Sequence, residues 1–170
     1  DERHTVILEY PALEKMRQLA AQYFPNEVGT ALVGCYSDDG FIATIKDLAP
    51  LAEDSHTSRR FFVRGVQALV QYFTRVFKQS NGLIHYVGDW HSHPKSGATP
   101  SATDDENQSA VSADLTTECA ESILIILGGH TAEFEEIRAY VYSRMHGRVD
   151  LARFDMGVAH PPPRPSDGVQ

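Results

Sequence analysis

The stretch Asp89-Trp90-His91-Ser92-His93-Pro94-Lys95-Ser96-Gly97-Ala98-Thr99-Pro100-Ser101-Ala102-Thr103-Asp104 joins the end of a β-like run to the start of a helix. On an extended segment alternate side chains point the same way, so His91 and His93 can face one point. Pro94 blocks a regular central strand beyond it. Ser101 opens the next helix, and Asp104, three residues on, shares a face with it. A short loop can return both to the histidines. Two neutral imidazoles and one carboxylate form a three-ligand set suited to one Zn²⁺ per chain. Such a set leaves a fourth position for water, as catalytic zinc sites do. Zinc lowers the pKa of its water to about 7, which implies hydrolysis.

Each piece also has a plainer reading. A His-x-His pair alone is usually incidental. Ser101-x-x-Asp104 also reads as a helix cap, with the serine accepting a backbone N–H and the acid near the positive helix end. Glu27 reads as a solvated acid before a strand, and Trp90 as core or pocket wall. The remaining histidines, His4, His56, His85, His130, His146 and His160, lack partners at ligand spacing. Cys35 and Cys119 lack a CxxC partner and read as ordinary thiols.

Upstream, residues 5–10 are β-rich, and Pro11 opens a helical stretch with Leu13, Met16, Leu19 and Ala20 at helical spacing. Residues 29–36 and 40–48 are β-like runs joined through Ser37-Asp38-Asp39-Gly40, a hairpin signal. Residues 49–60 lack periodicity and read as an exposed loop. From 63 to 77, Val66, Leu69, Val70, Phe73, Val76 and Phe77 repeat with helical period and predict a core-packing helix that ends near Asn81-Gly82. A strand over 84–91 precedes the quoted stretch. A helix over 102–117 and strands over 123–128, 137–142 and 149–154 follow it. Interleaved strands and helices give an α/β domain with a central mixed sheet flanked by helices. Its predicted extent is residues 1–157. Residues 158–170, with His160-Pro161-Pro162-Pro163-Arg164-Pro165, read as a disordered polyproline tail.

With 170 residues and 42% apolar content the chain suits one domain with a substantial core. A net charge of −8 argues against a generic nucleic-acid binder, which needs clustered lysine and arginine. Two widely spaced cysteines exclude a disulfide scaffold and point to the reducing cytoplasm. No apolar run reaches the roughly 20 residues that span a bilayer, and no signal-peptide pattern appears, so no membrane partner is expected.

Taken together, these motifs resemble the JAMM (JAB/MPN) zinc metalloprotease family. His91 and His93, the seven residues 94–100, then Ser101 and Asp104 match its His-x-His-x7-Ser-x-x-Asp signature. Glu27-Val28-Gly29-Thr30-Ala31-Leu32-Val33-Gly34 is similar to the family's Glu-x-Gly-x-x-Leu-x-Gly segment, although Thr30 stands where a second glycine is frequent. The order of elements over 5–154 also fits the family's domain, whose architecture is related to that of cytidine deaminases. The deaminase signature itself, His-x-Glu with Pro-Cys-x-x-Cys, is absent.

The resemblance implies zinc on His91, His93 and Asp104, with Glu27 as general base and Ser101 stabilising the oxyanion. It implies cleavage after the C-terminal glycine of a ubiquitin-like protein or its conjugate, whose tail lies in a groove with loop 49–60 as one wall. The compact size resembles prokaryotic JAB peptidases, which work beside ubiquitin-like modifiers, sulfur-carrier proteins, or the activating and conjugating enzymes of anti-phage defence. Two other classes share the pattern in part. One is a zinc peptidase for phage-tail or cell-wall substrates. The other is a non-catalytic MPN scaffold, whose members usually lose the ligands retained here.

Overall fold

The computed structural model describes residues 4–59, 61–117 and 119–151. Its elements run β1 (Thr5–Leu8), α1 (Tyr10–Tyr23), β2 (Gly29–Tyr36), β3 (Ile42–Leu48), β4 (His56–Thr57) and β5 (Phe62–Val63). They continue with α2 (Leu69–Gln79), β6 (His85–Pro94), α3 (Ala102–Ala113), β7 (Glu121–Gly129), β8 (Glu136–Ser143) and β9 (Gly147–Asp150). Seven strands form one sheet in the order β1-β3-β2-β6-β7-β8-β9, while β4 and β5 form a separate pair. β1 with β3 and β6 with β7 are parallel and the other neighbours antiparallel, so the sheet is mixed, as the sequence predicts.

β7 explains the layering. Its Ser122-to-Gly129 run is buried throughout, the mark of a strand covered on both faces. Ile123, Ile125 and Leu127 face one core with Ala12, Met16 and Ala20 of α1, whereas Leu124 and Ile126 join Tyr140 and Tyr142 in another. A third cluster lies under α2, where Leu69, Tyr72, Phe73 and Val76 meet Ala31, Val33, Ile84 and Tyr86.

A bulge places the site. The β2–β6 register pairs Leu32 with Gly88 but Val33 with Tyr86, so one β6 residue is left over. Gly88 takes φ +143 there, and a Cβ on it would lie 1.9 Å from the Ile123 carbonyl oxygen. The extra residue shifts the alternation, so Val87 and Trp90 both face the α1 core. Asp89 and His91 are thereby turned to the opposite side, where they line a cleft beside α3.

Several sequence expectations shift. The run from 63 to 77 splits into β5 and a helix that starts at Leu69. The cause is a tie the periodicity hides: the Asp54 carboxylate accepts the Val66 and Gln67 N–H groups, and Ser55 Oγ accepts that of Gly65. α2 is also less buried than its pattern predicts, because Val70 and Phe77 face solvent, as does Val66 ahead of it. Within the expected loop 49–60, His56 and Thr57 pair with β5.

β6 runs through His93 to Pro94, beyond the expected stop. Ser92 N–H points to β2 and Lys95 N–H to β7, so the missing N–H of Pro94 falls on the β2 side, past the last β2 pair at Gly29–His91. Among the described residues the last strand spans Gly147–Asp150, so it begins two residues before the expected 149; residues 152–154 of that expectation, and the predicted tail, lie outside the described residues. Among the described residues no helix is long and apolar enough to cross a membrane.

Candidate metal centre and cleft

His91 and His93 stand on one face of β6, and their Nε2 atoms are 2.9 Å apart. Gly97 sets the tautomer of His93: its carbonyl accepts from Nδ1 at 3.2 Å, which leaves the Nε2 lone pair facing His91 and Asp104. The loop carrying Gly97 is fixed in turn. Ala98 N–H donates to Glu136 at 3.0 Å, the Ala98 carbonyl accepts Tyr140 O–H at 2.7 Å, and Gly128 leaves room where a Cβ would lie 2.4 Å from Ala98 N.

Asp104 reaches the same point from the first turn of α3. Its Oδ1 lies 3.5 Å from His91 Nε2 and its Oδ2 lies 3.5 Å from His93 Nε2. The helix cap holds it there: Asp104 N–H donates to Ser101 Oγ, while Ser101 N–H and O–H both donate to Asp104 Oδ2 at 2.7 Å. Capping and ligand geometry therefore coexist, and the Ser101 proton is spent on Asp104. The three residues place ligand atoms within 4.8 Å of one another.

The charges in the cluster are strongly coupled. Burial opposes ionisation of Asp104, yet the neighbouring His91 and His93 rings and the Ser101 hydroxyl hold its carboxyl far below the usual carboxylate range. Burial likewise disfavours charge on His93, but Asp104 and Glu27 raise its pKa above the ordinary histidine value. Among the described residues no lysine or arginine pairs with Asp104. Two converging imidazole nitrogens and a carboxylate without a basic partner suit a divalent metal with mixed nitrogen and oxygen ligands.

Glu27 lies just before β2. Burial raises its pKa, while the charges of His93 and His91 lower it and that of Asp104 raises it, which puts its carboxyl group within electrostatic reach of all three. Two features bring β2 this close to the histidines. A Cβ at Gly29 would sit 2.1 Å from the Trp90 carbonyl oxygen and 2.8 Å from His91 Cβ, so only glycine fits. Ser92, fully buried between the histidines, accepts the Val28 N–H on its hydroxyl at 3.1 Å and donates its own N–H to the Val28 carbonyl at 2.8 Å. Thr30, the departure from the family pattern, accepts the buried indole N–H of Trp90 at 2.9 Å.

A cleft of about 460 Å³ opens beside the cluster. Phe61, Phe62, Val63 and Arg64 form one wall, Thr103, Asn107 and Val111 of α3 the other, and Asp89, Trp90 and Leu124 line the space between them. The expected wall at 49–60 is thus displaced to β5 and Arg64, with β4 behind them. Sequence reading passed over Arg64, Asp89 and Asn107. Asp89 carried a signal, being an acid two residues before His91 on the same strand face.

Residues 9–142 match the family model described as prokaryotic homologs of the JAB domain. Over 141 residues the chain is 31% identical to a protein of Enterobacter hormaechei subsp. hoffmannii (strain UCI 50) named CD-NTase/cGAS isopeptidase, covering 83% of this chain and 77% of that one. A protein of Escherichia coli (strain TW11681) with the same name is 28% identical over 103 residues, covering 61% and 65%. Among solved structures, a Desulfitobacterium hafniense protein superposes with TM-score 0.59 at 22% identity, covering 86% of this chain and 89% of that one. A Salinibacter ruber (strain DSM 13855) protein gives 0.50 at 19% identity, covering 93% of each. Both structures are similar in fold.

Proposed function

This chain belongs to the prokaryotic JAB-domain family, and from that premise we propose that it is a zinc-dependent isopeptidase that cuts after the C-terminal glycine of a ubiquitin-like modifier. One observation carries the reading: His91, His93 and Asp104 place ligand atoms within 4.8 Å of one another, beside a Glu27 carboxyl whose pKa their charges shift. Zinc held by these residues would supply a Lewis acid and a water acidified enough to attack near neutral pH.

The chain's own residues do the rest. Glu27 takes a proton from the attacking water and returns it to the departing amine, and its burial-raised pKa brings it nearer the working pH. Ser101 donates to the oxyanion once its hydroxyl turns from Asp104 to the substrate. The substrate tail lies in the cleft against β5. Ser58 N–H donates to the Phe61 carbonyl and His56 pairs with Val63, so the Phe62 N–H and C=O point away from β4 and can pair with an extended chain. Two relatives named CD-NTase/cGAS isopeptidase support a conjugate of an enzyme of that class as the physiological substrate.

Incubation with a panel of ubiquitin-like fusions, read by mass spectrometry, tests this directly. The expected product ends at the modifier's terminal glycine, in a preparation holding about one zinc per chain. Cleavage elsewhere, or a cut that survives full removal of metal, would overturn it.

A further inference from the structure

The cleft contains an ion pair that the proposed hydrolysis does not use. Asp89 is largely covered, its side chain 17% exposed, and one of its oxygens accepts Tyr86 O–H at 2.7 Å. The other lies 3.0 Å from Arg64 Nε but out of line for a hydrogen bond. The guanidinium sits 5.5 Å from the Tyr86 ring centroid. Among the described residues its two terminal nitrogens have no partner, and Arg64 lines the cleft.

We propose that Arg64 reads the main chain of the substrate tail, with Asp89 and Tyr86 as the residues that position it. The proposal rests on the isopeptidase reading above and deepens it. Its second oxygen is shut off from water without a hydrogen bond of its own, so a cation beside it offsets the cost of covering the Asp89 carboxylate. Because Asp89 already balances the charge of Arg64, an incoming partner need not be an anion, and peptide carbonyl oxygens suit the free N–H groups. Asp89 is two residues from His91 on one strand face. At a rise of about 3.3 Å per residue this places Arg64 about two substrate residues from the bond cut. On the facing wall, the side chain of Asn107 also has no partner among the described residues and is available to the same strand of peptide.

The probe is a fluorescein-labelled hexapeptide, Ala-Ala-Ala-Ala-Gly-Gly with a free carboxyl end, titrated by anisotropy into chain of measured zinc content. Arg64→Met should weaken binding about tenfold, the loss of one charge-assisted hydrogen bond. Arg64→Lys, which keeps the charge beside Asp89 and so guards against a folding artefact, should weaken it about fivefold for want of the planar fork. Asp89→Asn should weaken it about threefold. The double variant should be no worse than Arg64→Met within about twofold, because Asp89 acts through Arg64.

Probes with Glu or Lys at the fourth position should lose affinity to the same degree, since the main chain is what is read. A loss confined to the Lys or the Glu probe would overturn the proposal in favour of side-chain recognition. Arg64→Met binding within about twofold of the parent chain, or a parent chain that ignores the probe, would overturn it outright. Binding is measured without turnover, so the two readings fail separately. A chain that holds the probe through Arg64 but cuts no fusion defeats only the isopeptidase.

Discussion

The two walls of the cleft are built in opposite ways. The β6–α3 wall is backed by the sheet: β6 is paired on both sides, to β2 and to β7, and α3 starts from a reciprocal cap at Ser101 and Asp104. The β5 wall rests on a two-residue strand pair, on Asp54 and Ser55 capturing the N–H groups of residues 65–67, and on one backbone bond from Glu27 N–H to the Ser58 carbonyl. The proposed metal ligands sit on the stiff side, while the groups proposed to meet the substrate's backbone sit on the side with few buried contacts. Precise geometry needs rigid elements, whereas reading tolerates a loop.

The sharpest way to break the contrast is to remove a ligand. His91→Ala or Asp104→Ala should take zinc from about one per chain to none and abolish cleavage, measured by metal analysis beside a fusion assay. Glu27→Gln should keep its zinc yet lose about 10²–10⁴ in rate, since only the proton acceptor is gone. Near-parental turnover would remove Glu27 from the mechanism.

Ser101→Ala should lower the rate about tenfold and cost about 1 kcal/mol of stability as a lost cap. Thermal melting separates the two effects. On the soft wall, Phe62→Pro deletes the outward N–H but spares the bonds to β4. It should raise KM about fivefold, the value of one hydrogen bond, with kcat and zinc content unchanged.

The smallest effect is pH-linked. The pKa of His93 is raised above 6.5, so in metal-free chain its contribution to stability is full below that value and fades as pH rises through the folded pKa. Zinc requires the neutral ring, so the Tm gap between zinc-loaded and chelated chain should widen from pH 6 to pH 8.

The same division decides what could be read from the sequence. Strand alternation and the Ser-x-x-Asp cap are local codes, so β2, β6 and the convergence of His91, His93 and Asp104 were legible before any coordinates. The β5 wall was not. Its shape depends on Asp54 meeting residues 66 and 67, twelve and thirteen positions away, and nothing in the apolar spacing of 63–77 reports that contact. α2 misled for a related reason. Val66, Val70 and Phe77 keep helical period while facing solvent, because period shows that a face is apolar and not what covers it. Arg64 went unseen because an ion pair across 25 positions leaves no pattern on its side of the pair.

Ser92 shows that the residue skipped by the His-x-His spacing has its own task. Its two bonds to Val28 sit one position from Glu27, just ahead of β2, and one position from each imidazole on β6. Bending of the sheet therefore carries the proposed base and both histidines together as one block.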